Sequence, residues 1–314
     1  MNPAILLETK PETFYNSYVK EYHEVRAIYL MNMLSNLDSV NEILTDNELD
    51  YGDIKVSLTK NTKFIIQADL RQNYFHALET FFEFFFAFLP NKGIIPDNSK
   101  IVRQIVQSKW SQNYKKIEYI AKGEMKLNIL DQEINFYGYK VTVGQYIFFP
   151  GTFSKEKFGE KYLNDVSESV ESLKVAIKEL AIDFHDRDEY NSYKHTMRAF
   201  PNYESIKLIN PKTLKEELEF DLSNSVSYQK FNDKENETMI KTKLFDPERD
   251  FEMTKFCSRL IYNMLELRNI MFNKTNIKNQ DKKIAIFLFN ESKISELIKH
   301  NVDIQDIILS TKMS

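Results

Sequence analysis

The sequence predicts an α+β, helix-dominant protein: a helical bundle with a small β insertion near residues 124–151 and an antiparallel β meander over 204–246. Three observations predict it. On both sides of those segments, apolar residues recur every three or four positions, the spacing that gives a helix one apolar face. Within the segments, apolar and polar residues alternate as on a half-buried strand. Finally, 7 Gly and 8 Pro in 314 residues leave little for flexible linkers, so most of the chain is expected to be regular structure.

Taken in order, Tyr15, Tyr18, Tyr22, Val25, Tyr29, Met33, Leu37, Val40 and Leu44 form one apolar line, which predicts one long helix or two abutting ones over 12–48. Residues 55–58 read as a short extended piece. A second helix is expected over 63–89, with Pro90, Asn91, Lys92 and Gly93 as its stop. Ser99 precedes a third amphipathic segment whose buried side is Ile101, Ile105, Trp110, Tyr114 and Ile117, closed by Gly123. In the β insertion, 125–129 and 139–143 are the strand candidates. Helix returns over 155–183, on Leu163, Val166, Val170, Leu173, Ile177 and Leu180, and continues through His185 to Phe200, where Pro201 stops it.

Four strand-like runs, 206–209, 218–222, 226–231 and 239–245, make the meander. Pro247 after Asp246 is a helix start, and Phe251, Phe256, Leu260, Met264, Leu267 and Met271 mark another long helix. The tail offers a strand at 284–289 and amphipathic pieces at 294–297 and 304–309. The expected organisation is 1–203 as bundle with insertion, 204–246 as meander, and 247–314 as a returning helix with an α/β tail, together one compact unit.

Composition excludes several classes. Forty-two basic and 46 acidic side chains give a net charge of −4, which argues against a protein that coats nucleic acid without discrimination. The single cysteine, Cys257, cannot form an internal disulfide or a multi-thiolate zinc site. The opening MNPAILLETKPE has no basic region before a long apolar run, so no signal peptide is expected. The most apolar run, 81–89, is broken by Glu83 and is far short of the roughly 20 residues that span a bilayer. A cytoplasmic protein without membrane contact is the expectation. No P-loop, dinucleotide fingerprint or serine elbow is present, so no cofactor is expected.

Two polar stripes stand out. In the aromatic helix over 63–89, Gln72, His76, Glu79 and Glu83 fall at i, i+4, i+7 and i+11, and buried carboxylates of that kind need partners. In 183–200, Asn191, His195 and Arg198 fall at i, i+4 and i+7 with Lys194 adjacent, a strip of donors suited to an anion. Two readings follow. The strips form a buried structural network that sets helix register, or they form a site in which His76 and His195 act as acid and base near neutral pH. Ligand spacing for a metal can also be drawn from His76, Glu79 and Glu83 or from His185, Asp188 and Glu189, but the order differs from a di-iron Glu-x-x-His motif, and no metal is expected.

The run Arg71-Gln72-Asn73-Tyr74-Phe75-His76, an arginine and a histidine with four residues between, resembles the signature of the HEPN superfamily of small helical-bundle domains. Asn191-Ser192-Tyr193-Lys194-His195 is similar to the Asn and Lys-His ending of its divergent branches. The resemblance implies a metal-independent ribonuclease or RNA-binding protein of a toxin or antiphage system, working on RNA as a homodimer. It implies Arg71 and His76 as the catalytic pair, while the strip read as a site adds His195 as the second catalytic histidine and Asn191, Lys194 and Arg198 as ligand-binding residues. The chemistry implied is removal of a ribose 2′-hydroxyl proton by histidine, attack on the adjacent phosphate, and stabilisation of the added charge by Arg or Lys. On an ideal helix Arg71 and His76 point about 140° apart, so a shared site requires the arginine to curl. The alternative is a non-catalytic interaction or regulatory protein, with the strip as a structural network and an exposed edge of the meander as the surface for a protein partner.

Overall fold

The computed structural model describes residues 10–45, 49–51, 54–56, 58–59, 61–185, 187–194, 199–201, 205–209, 216–232, 237–272, 285–299 and 307–311. Helices α1 (Glu12–Ser17), α2 (Tyr22–Ser35) and α3 (Leu37–Thr45) lead into the hairpin β1 (Leu49–Tyr51) and β2 (Ile54–Val56). Then come α4 (Thr62–Phe88), α5 (Asn98–Val106), α6 (Trp110–Ala121), the hairpin β3 (Glu133–Phe136) and β4 (Tyr139–Thr142), α7 (Val143–Phe148), α8 (Lys155–Phe184) and α9 (Arg187–Lys194). The strands β5 (Ala199–Pro201), β6 (Ser205–Ile209), β7 (Glu216–Asp221), β8 (Ser225–Asn232) and β9 (Glu237–Leu244) precede α10 (Pro247–Phe272), α11 (Glu291–Lys299) and β10 (Ile307–Thr311). The helix-dominant α+β class is as the sequence predicts. Among the described residues no helix is long and apolar enough to cross a membrane.

The chain divides into two units, each drawn from three stretches: residues 1–23, 77–185 and 255–298 in the first, and 24–76, 186–254 and 299–314 in the second. Helices α4 and α10 contribute to both.

The first unit is built on the aromatic half of α4, where Phe81, Phe82, Phe85 and Phe88 are fully buried. Phe81 stacks on Phe85 at 5.9 Å, Phe85 on Phe148 at 6.2 Å, and Phe82 on Phe184 at 6.4 Å, offset geometries that suit ring quadrupoles. Leu173, Ile177 and Leu180 of α8 and Leu260, Ile261 and Met264 of α10 complete this core. Lys92 and Gly93, both at positive φ, form the turn after α4, and Gly123 at φ +74 closes α6. A break at Gln107 separates α5 from α6, and α5 is capped by Asp97, whose carboxylate accepts from the Lys100 amide at 2.8 Å, rather than by Ser99.

Two expected strands in this unit take other forms. Residues Leu127–Asp131 make a 3₁₀ turn, and the insertion's hairpin pairs β3 with β4. Residues 285–290 form no strand: the Asn263 side chain holds Phe287 instead, donating to its carbonyl at 2.8 Å and accepting from its amide at 3.1 Å. One amide side chain thus supplies the pair of bonds a neighbouring strand would give.

In the second unit β10, β9, β8 and β5 form a four-stranded antiparallel sheet in that order, while β6–β7 and β1–β2 are separate hairpins. The 204–246 stretch therefore folds as antiparallel strands where predicted, paired as the hairpins β6–β7 and β8–β9. Helix α9 ends at Lys194, and Phe200 lies in β5 rather than at the end of a helix. The piece at 304–309 includes part of a strand, β10. A small core joins Ala27 and Leu30 of α2, Ile66 and Leu70 of α4, and Phe251 of α10.

The N-terminal 12–45 stretch forms three helices rather than one or two. Asn36, between α2 and α3, donates to the Asn32 carbonyl at 2.8 Å, a side-chain bond that competes with helix continuation. The apolar line expected to be buried is also displaced: Tyr22, Val25, Tyr29 and Met33 are exposed. The inward positions carry Lys20, His23, Ala27 and Leu30 instead, with Lys20 paired to Glu266 at 2.8 Å and His23 Nε2 bonded to Thr80 Oγ1 at 3.1 Å.

Candidate functional site

The candidate site of the second unit centres on Arg71. It lies on the inner face of α4, between the buried Leu70 and the buried Asn73, Tyr74 and Phe75. Helix α9 turns Tyr190 and Tyr193 toward the same face, their rings 5.4 Å and 6.2 Å from that of Phe75. This apolar contact sets α9 so that Glu189, one residue before Tyr190, meets the arginine.

The guanidinium is held on several sides. Nε donates to Glu189 Oε1 at 2.9 Å and Nη2 to Oε2 at 3.5 Å, while Nη1 donates to Asp250 Oδ1 on α10 at 2.6 Å. Its Cζ lies over the Phe75 ring, 4.8 Å from the centroid. Lys243 of β9 donates to Glu189 Oε2 at 2.7 Å, and the Tyr193 hydroxyl donates to Glu189 Oε1 at 3.5 Å. Arg249 lies 3.9 Å from Asp250. Arg71, Glu189 and Asp250 are all buried.

Burial alone would raise the Glu189 carboxyl, but Arg71 and Lys243 outweigh it and hold the group below its ordinary range. Burial holds Asp250 above its ordinary range, with Arg71 and Arg249 opposing. Burial likewise raises the Tyr193 phenol, reinforced by the Glu189 charge, so that it stays a donor. The two carboxylates raise Arg71 against its own desolvation, and the arginine is a fixed cation.

The other sequence-predicted residues lie as follows. His76, half-buried, sets its ring against Tyr190 at 5.7 Å, edge to face. Asn191 is half-buried, and the exposed Lys194 places its ammonium 5.5 Å from the Tyr190 centroid. His195 and Arg198 lie outside the described residues. Gln72 is half-buried in the second unit, whereas Glu79 and Glu83 belong to the first. There Glu83 lines a polar groove with Lys100, Arg103, Lys109 and Lys116, and burial holds its carboxyl above the usual range, the Ser108 hydroxyl opposing.

Sequence reading missed Asp250 as a partner of Arg71 and Lys243 as a partner of Glu189, and it considered Glu189 only as part of a metal-ligand spacing. The only sequence signal would have been a demand: an arginine on an otherwise apolar face must have carboxylates somewhere. Among the described residues no group of three or more His, Cys, Asp or Glu side chains is placed to hold a metal ion. Comparison with protein-family models, with curated proteins and with solved structures returned no match.

Proposed function

We propose that this chain works by binding, as a non-catalytic interaction or regulatory protein in which the polar strip of α4 and α9 is a structural network. The observation that carries this reading is the engagement of Arg71. Its Nε, Nη1 and Nη2 all donate to buried carboxylates. A phosphate bound there would have to displace Glu189 or Asp250 and leave that carboxylate buried without its partner, a cost of several kcal/mol. The four-stranded sheet ends in β5 and β10, and the outer backbone groups of its edge strands suit an added strand from a protein partner.

The test is a ribonuclease assay on the full chain with EDTA present, run beside His76→Ala and His195→Ala variants. Intact RNA throughout is the expected result. Cleavage by the unaltered chain that disappears in either variant would replace this reading with metal-independent RNA cleavage of the HEPN type.

A further inference from the structure

The first unit contains a second buried arginine, and its surroundings are different. Arg268 of α10 is 1 % exposed, among the largest fully buried side chains. Its guanidinium lies between two rings, 4.1 Å from the Phe88 centroid and 4.5 Å from that of Tyr146. Nη2 donates to the Tyr146 carbonyl at 2.8 Å, and Nε, although buried, meets no acceptor. Among the described residues no carboxylate comes within ion-pair distance of it. Ring faces stabilise a cation, but they cannot accept the in-plane N–H groups, of which a guanidinium carries five.

Arg268 also lines a cavity of about 470 Å³, within the usual size for small-molecule sites. The walls include Phe136, Tyr137 and Phe272, with Tyr137 and Phe272 6.4 Å apart. Asn98 and Glu12 lie at the same cavity, tied together by the Asn98 side chain donating to Glu12 at 3.0 Å, and Tyr15 donates to Asn98 at 3.0 Å. The acidic groups here, Glu12 and Asp97, disfavour a ligand carrying several negative charges.

We infer that this cavity binds a small planar aromatic molecule bearing a single carboxylate, which meets the Arg268 guanidinium while its ring lies among Phe136, Tyr137 and Phe272. The carboxylate supplies the acceptors the arginine lacks, in the planar arrangement that suits its fork of donors. The aromatic walls supply the area and fix the ring. This proposal does not depend on the reading of the Arg71 network, which belongs to the other unit.

The experiment is calorimetric titration of the full chain with benzoate, indole-3-acetate and 3-phenylpropionate, each beside its uncharged carboxamide, with amide NMR shifts followed at Asn98 and Tyr137. At least one carboxylate binds saturably and roughly tenfold or more tighter than its carboxamide, because the amide gives up a charge-assisted bond. Arg268→Met removes that preference. Should that variant fail to fold, Tyr137→Asn serves, since Tyr137 is exposed at φ +50, a conformation asparagine tolerates; it weakens the carboxylate and the carboxamide alike. Absence of saturable binding by all three carboxylates, equal binding of acid and amide, or shifts confined to other parts of the chain would overturn the proposal.

Discussion

Arg71 and Arg268 are both buried, both set against aromatic rings, and opposite in their electrostatics. Arg71 is neutralised by Glu189 and Asp250, with Lys243 bonded to the same glutamate. Arg268 has two ring faces and one backbone carbonyl. The comparison teaches that burial of a cation does not by itself mark a site. A cation whose donors already meet carboxylates holds elements together, whereas one that borders a cavity with donors to spare has something left to offer a ligand.

The comparison breaks most sharply at Arg71. Arg71→Ala leaves Asp250 and Glu189 buried with part of their partnership gone, and is expected to cost about 3–5 kcal/mol in chemical denaturation. A loss below about 1 kcal/mol would mean the network is loosely hydrated, and the contrast with Arg268 would fail.

A smaller loss is expected for Glu189→Gln, about 1.5–3 kcal/mol at neutral pH, because the one amide oxygen still accepts from either Arg71 or Lys243, which use different oxygens of the carboxylate, and only the other bond is lost. Its dependence on pH sharpens the argument. The folded carboxyl titrates below its ordinary 4.5, so the unfolded chain takes up the proton first. The advantage of the unaltered chain over the variant is therefore full above that pH and is lost as acidity rises toward the folded value. Stability curves measured from neutral to acid conditions, with the two chains diverging instead of converging, would sink this account.

The smallest effect belongs to the outer face of α2. Tyr29 is 67 % exposed, and Tyr29→Gln should change stability by no more than about 0.5 kcal/mol. A thermal shift well beyond that would place the residue in a contact.

Much of the framework was legible before any coordinates. The helix expected over 63–89 is Thr62–Phe88, and the one expected after Pro247 runs Pro247–Phe272, because long apolar periodicity and a proline or glycine boundary are local properties. The same periodicity misled at α2. A repeating line of Tyr, Val and Met says that a helix forms, but which face finds neighbours is decided by the rest of the chain, and here it is the line of Lys20, His23, Ala27 and Leu30. Arg71 was singled out only through the resemblance of its motif, not as part of the polar stripe, and its partners lie 118 and 179 residues away, beyond any spacing rule. Arg268 drew no notice at all, since nothing nearby in sequence announces a cavity formed by α5, the β3–β4 turn and α10.

The interleaving of the two units has a kinetic corollary. Each is stitched from three separated stretches, so no single cut in the polypeptide releases either one intact. Assembly must wait for distant segments to meet, and the entropy of closing those long loops precedes the contacts that reward it. Such a chain should fold slowly for its helix content, and helix-breaking changes in α4 or α10, which contribute to both units, should damage both together.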